Sequence, residues 1–291
     1  MNLRVALVIT CALILGGCVA SPDRDDSAAE TPAWGGAQLE QLAERLPGRY
    51  GPARRLDQAG RGETMVLSAR AGTNAGLVLE LQPERATRPR GFMLNLSAAD
   101  GPSPFVAGTF VPLRADGRPA PQSCAMRFRI RSGLLAGETD PAQCRFGSGG
   151  DSVGLLKELA LDGNQIVIAD QLVGAEQGAG DAPDILRLYR LQRFTGQVRV
   201  RSDETASWRL AEQIEAAVGG DAIEPVDAAD MGLGVRIRLE LIEGKRPGSP
   251  LLYLQVIDAQ SDEILGQAWS DVQAERIGLA LDRVQVDLEQ R

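Results

Sequence analysis

The sequence contains no histidine. That excludes Ser-His-Asp and Cys-His catalysis, a histidine general base, and the ordinary zinc sites that depend on imidazole. No run of basic residues is present, and the formal charge is −8 with a pI near 4.9. An acidic surface without a basic stripe is a poor match for nucleic acid or for anionic lipid head groups, and its plain consequence is solubility. Aromatic residues make up only 4% of the chain. No glycine-rich phosphate loop, nucleophile elbow or cluster of metal-ligand residues occurs, so neither a metal nor a nucleotide cofactor is expected.

The longest apolar run is short and lies at the N-terminus. Arg4 precedes Val5 to Leu15, which only Thr10 interrupts, and Gly16, Gly17 and Cys18 follow. Positive charge, an apolar stretch too short to span a bilayer, and small residues before the cut are the features of a secretory signal. Leu15-Gly16-Gly17-Cys18 resembles a bacterial lipobox, in which the cysteine is acylated and becomes the first residue of the mature protein. Residues 1–17 are therefore read as a lipoprotein signal peptide and Cys18 as the lipid attachment point, giving a membrane partner through two or more acyl chains. Val19 stands where an inner-membrane retention signal would place aspartate, which points to the outer membrane, with the chain facing the periplasm. Residues 18–36 are rich in Asp, Ser, Ala, Pro and Gly and are read as a flexible tether. Loss of Arg4 with the signal leaves a side-chain balance of −9 (−8 − 1).

Export also bears on the remaining cysteines. The chain has four. Cys11 leaves with the signal and Cys18 carries lipid, so Cys124 and Cys144 remain; in an oxidising compartment two leftover cysteines pair. The alternative is a free nucleophilic thiol.

Gln38 to Leu46 reads as a helix, with Leu39, Leu42 and Leu46 at helical spacing and Pro47-Gly48 as the stop. Short strands follow up to Phe194. Ala125–Arg131 shows the pattern most clearly: Met126, Phe128 and Ile130 alternate with Arg127, Arg129 and Arg131. Asp162-Gly163 lies between two strand runs and marks a hairpin. Regular short strands after one helix predict a closed antiparallel barrel. Beyond residue 195 the periodicity changes. Thr205 to Val218 reads as a helix, with Trp208, Ala211, Ile214 and Val218 close to one face, and strands follow at Gly234–Ile242, Leu251–Ile257 and Glu263–Ser270, with a further candidate at Val284–Leu288. The expectation is a mainly β chain: a barrel over residues 37–195 and, over 196–291, a small α+β domain or an appendix packed on the barrel.

Several patches, in order, carry a family resemblance. Leu42-Ala43-Glu44-Arg45-Leu46-Pro47-Gly48-Arg49-Tyr50 is followed by Gly76 to Leu81 and Pro89 to Leu96. Then come Cys124-x-Met-x-Phe, Leu135 to Asp140, and Cys144-Arg145-Phe146, and finally Ile185 to Arg190. Together they resemble the CpcT/CpeT family of chromophore lyases over about residues 38–194. The resemblance implies a lipocalin-like barrel that holds a linear tetrapyrrole (a bilin) or another small amphiphile, and an attachment reaction to protein cysteine. It implies Arg90, Arg127 and Arg129 as partners for a ligand's acids, and Tyr50 and Glu80 as polar groups of the cup. Gly51-Pro52-Ala53 replaces the glutamine-alanine element of the family. From the residues alone, Arg127 and Arg129 mark a solvent face, Glu80 a rim and Tyr50 a packing position. Three functions follow: an envelope lipoprotein binding a small apolar or amphiphilic ligand, a chromophore lyase, or a structural lipoprotein of the outer membrane.

Overall fold

Alternation governs the first half of the chain. In a computed structural model, residues 36–56, 65–71, 76–83, 90–98, 105–131, 133–147, 152–174, 184–246 and 248–291 are described. All of them belong to one compact unit, Ala33–Arg291. The segment read as a signal peptide, Cys18, and the segment read as a tether as far as residue 35 lie outside the described residues.

A helix, α1 (Gly36–Arg45), precedes eleven strands: β1 (Gly48–Gly51), β2 (Met65–Ala71), β3 (Gly76–Pro83), β4 (Arg90–Ala98), β5 (Phe105–Pro112), β6 (Cys124–Arg131), β7 (Leu134–Thr139), β8 (Arg145–Phe146), β9 (Val153–Leu161), β10 (Gln165–Val173) and β11 (Asp184–Arg190). Every pairing among them is antiparallel. The sheet curls until the pairing returns to its start, since β9 pairs with both β7 and β10, β10 with β11, and β11 with β1. Only the two-residue β8 stands outside this ring, paired with the start of β9.

The inward residues fill the barrel. Leu79, Leu94, Phe128, Leu135, Leu159, Leu161, Ile166 and Leu188 are all buried in one apolar cluster. The Phe128 ring lies against the two strands that flank β6, and Gly108 and Gly137 make room for it: a Cβ added at either would land on its ring. Helix α1 lies across one end, contributing Leu42 and Leu46 to the same cluster. The Cys124–Cys144 disulfide, with Cα atoms 5.1 Å apart, ties the start of β6 to the segment after β7 near the other end.

The second half corrects an expectation. It is all β, not α+β: β12 (Arg193–Val200), β13 (Arg209–Ala217), β14 (Val235–Glu243), β15 (Pro250–Asp258), β16 (Ile264–Asp271), β17 (Arg276–Ala280) and β18 (Val284–Gln290). They form a four-stranded sheet, β13-β12-β18-β17, and a three-stranded sheet, β14-β15-β16. Phe194, Val198, Leu239, Leu252, Leu254, Val286 and Leu288 are buried in a core of their own. The helix expected over 205–218 is strand β13. Its pairing with β12 slips between Gly196 and Val198, whose partners are Ile214 and Ala211, so β13 carries one extra residue there. Gln213 takes up the bulge with φ of 54°. The bulge sets inward residues at 211, 214, 216 and 218, and its step of three mimics a helical repeat.

The two halves share main-chain hydrogen bonds. Arg54, just after β1, donates its N–H to Leu241 O at 2.8 Å, and its carbonyl accepts from Glu243 N at 2.6 Å. It thereby covers one stretch of the β14 edge. Val218 and Ile223 bridge the same strand at Leu239 and Ile237, so that edge is closed to foreign strands.

Candidate functional site

The charged residues in phase with the apolar lumen mark the unusual place in this barrel. Along β9 the inward set is Val153, Leu155, Lys157, Leu159 and Leu161; along β10 it is Ile166, Ile168, Asp170 and Leu172. Lys157 and Asp170 are directly opposed in register. The Lys157 ammonium donates to Asp170 Oδ1 at 2.5 Å and sits 5.0 Å from the centroids of both the Phe92 and Phe110 rings. Those rings touch each other, with centroids 5.1 Å apart. Ring faces attract a cation, so the pair of phenyls and the carboxylate together form a cage for the ammonium. Beside it the buried Thr139 hydroxyl donates to Leu155 O at 2.6 Å and accepts from Lys157 N at 2.9 Å, which fixes the lysine backbone.

Exposure is uneven across the pair. The Lys157 side chain is 6% exposed, whereas that of Asp170 is 48% exposed. Burial pushes the Lys157 pKa below its usual value, and Asp170 pulls it back only in part. Above this pair, at the end of the barrel away from α1, Leu172 is more than half exposed although it belongs to the inward set. Only two of the chain's 31 basic residues are lysines, Lys157 and Lys245. The lumen therefore holds one of the few basic groups able to lose its proton, where arginine would remain charged.

The residues expected at a cup are dispersed. Tyr50 is fully buried at the α1 end. Its hydroxyl donates to Leu46 O at 2.8 Å and receives a hydrogen bond from Arg190 Nη2 at 2.9 Å. Burial raises its pKa, and the Arg190 guanidinium opposes that shift. Arg190 also donates to Gly163 O, Pro47 O and Arg45 O, clasping the helix end and the β9–β10 hairpin. Tyr50 is thus a fastening of the closed end, because its ring and its hydroxyl are both satisfied within the protein.

Arg127 and Arg129 lie on the outer wall, exposed, and alternate with the buried Met126 and Phe128. Both stack on Phe105, at 5.7 and 5.1 Å from its centroid. They border an open groove of about 370 Å³ shared with Glu138 and Glu158, so they meet no lumen ligand. Glu80 is half-buried opposite Gly91 and Ser68, in the outward phase of β3 that alternates with Leu79. Arg90 opens β4 opposite Leu81; its side chain is outside the described residues, as is Cys18. The structure brings together Arg127 with Arg129 and Cys124 with Cys144. It does not gather the five cup residues into one site.

No family model matches the chain, and no curated protein matches it in sequence.

Proposed function

We propose that this protein is a lipid-anchored component of the outer membrane that faces the periplasm and binds a small amphiphile at the end of its barrel remote from α1. The N-terminal Arg4-to-Cys18 pattern supports the anchoring, and the resemblance over about residues 38–194 supports a ligand-carrying barrel. The observation that carries the binding reading is the inward Lys157–Asp170 pair. An ammonium buried in phase with a packed apolar lumen carries a desolvation penalty that a purely structural barrel has no need to bear, and its half-exposed partner Asp170 offsets only part of it. Here the pair lies beneath an exposed leucine, Leu172, with Asp170 its half-exposed member, so a ligand at the mouth meets a charge pair and hydrocarbon side by side.

Below the pair the lumen is filled, so the ligand occupies the mouth and not the full depth of the barrel. Bilin transfer to a cysteine is less well supported, because Arg127 and Arg129 point away from the lumen and leave a bilin's propionates without those partners. The test uses the full chain extracted from its own envelope in mild detergent and examined by native mass spectrometry. A co-purified small molecule is expected on the wild type and absent from Lys157→Met. Identical spectra, with no retained molecule on either, would sink the binding reading. Metabolic labelling with a fatty acid tests the anchor separately: label is expected on the wild type and lost in Cys18→Ala.

A further inference from the structure

A second concavity lies where the barrel meets the sandwich. It is a cleft of about 330 Å³. Its walls come from the β9–β10 hairpin, the end of β11 with its link to β12, and the β14–β15 and β16–β17 turns. Ligand sites favour such junctions because two elements supply facing walls. Next to the β14–β15 turn, the Arg54 hydrogen bonds to Leu241 and Glu243 tie β14 to the barrel.

The guanidinium at the cleft is fully engaged, and each carboxylate there has one oxygen holding its own turn. Every nitrogen of Arg190 donates within the protein, to Gly163 O, Pro47 O, Arg45 O and the Tyr50 hydroxyl. Asp162 Oδ1 accepts from the backbone N–H of Asn164 and Gln165, at 2.8 and 2.7 Å. Asp271 Oδ1 accepts from Gln273 N at 2.8 Å. Arg187 and Glu243 flank Tyr189 with opposite charges. Beyond the second oxygens of the Asp162 and Asp271 carboxylates, what the cleft offers a ligand is neutral: the amides of Asn164, Gln165, Gln192 and Gln273, and the hydroxyls of Ser249 and Tyr189. The Tyr189 hydroxyl reaches Gly248 O at only 3.5 Å, a distance that leaves it ready for a better partner.

We propose that this cleft binds a neutral, hydroxyl-rich ligand, a saccharide. Each amide presents a donor and an acceptor side by side, and each hydroxyl does both. That set matches adjacent sugar hydroxyls, which also donate and accept. An anion would meet two carboxylates at the rim; a cation would meet carboxylates with one oxygen each committed to a turn, so the charged controls decide between a cation and a saccharide. The proposal is independent of the mouth site at Lys157.

The test titrates the full chain in detergent with N,N′-diacetylchitobiose and with maltose, with glucuronate and spermidine as charged controls, observed by saturation-transfer NMR and calorimetry. Saturable binding of a neutral disaccharide is expected. It should weaken at least tenfold in Gln192→Leu/Gln273→Leu and survive in Lys157→Met. If the double variant fails to fold, Ser249→Trp, which fills the cleft from an exposed turn, takes its place with the same expectation. Absence of binding by both disaccharides overturns the proposal. So does binding that persists in a folded cleft variant, or binding of the charged controls alone.

Discussion

At the residue scale, fit inside the lumen turns on single atoms. Gly137 and Gly108 face Phe128 from neighbouring strands, and neither has space for a methyl group. Gly137→Ala is expected to lower stability by about 1–3 kcal/mol through overpacking. The double variant Gly137→Ala/Phe128→Leu should recover part of that loss, as read from urea midpoints. Lys157 makes the opposite kind of prediction. Because its folded pKa lies below the usual lysine value, the unfolded chain binds more protons between the folded pKa and about 10.4. Stability therefore rises with pH across that interval. Lys157→Met removes the buried charge and leaves Asp170 half in solvent. It should be more stable than the wild type by about 1 kcal/mol at pH 6, with the gap narrowing as the pH approaches 10. A gap independent of pH would show that burial does not perturb this amine. Sequence reading did not single out Lys157, although a signal is present: Val153, Leu155, Leu159 and Leu161 share its phase, so a charge at 157 breaks an apolar series. Leu156 obscures the alternation by adding an apolar residue on the outer side. Tyr50 illustrates the reverse limit, since residue type alone does not reveal which end of a barrel a side chain fastens.

At the element scale, the chain's strands were readable wherever the pleat ran unbroken. Met126, Phe128 and their exposed arginine neighbours lie on opposite walls, as their spacing predicts. Reading failed where the pleat was interrupted. The run Ile185–Phe194 looks like one strand but is split between β11 and β12, which belong to different sheets. The β13 bulge converts a two-residue period into a step of three and so imitates a helix; no local propensity reports it, because the pairing partner β12 is what imposes the slip. Gln213 holds a left-handed backbone there. Gln213→Gly relieves that conformation and is expected to be neutral or to stabilise by up to about 1 kcal/mol. The same change at Gln197, across the slip on β12, has no positive φ to relieve and should destabilise. The disulfide acts on a different pair of segments, closing a separation of 20 residues between β6 and the stretch after β7. Replacing both cysteines with alanine should cost about 3 kcal/mol, visible as a lower melting temperature that reductant no longer changes.

At the scale of the whole molecule, barrel and sandwich share structure. Arg54 pairs with the β14 edge, while Ala53, Tyr189 and Leu191 pack into the sandwich core. A chain ending at residue 195 would expose those apolar groups and the open flank of Arg54. It is expected to melt at a lower temperature than the full chain and to self-associate, while the full chain unfolds in one calorimetric transition. Two well-separated transitions would show that the halves fold independently. The sequence shift near residue 195 marked where the pattern changes, but the stitching by Arg54 was not visible, because a lone arginine after a short strand carries no sign of a partner 187 positions further on, at Leu241.

The clasp at Arg190 also sets how the molecule bears mechanical load. A pull on the N-terminus enters the fold through α1, and the first attachments in its path are the Arg190 contacts to Arg45 and Pro47 and the Tyr50 contact to Leu46. These are side-chain bonds on a short helix, ahead of the main-chain ladder of β1. Under tension, α1 should peel away first and uncover the end of the barrel, while the strands behind it stay closed. The helix would then serve as a mechanical fuse between whatever holds the N-terminus and the barrel it leads into.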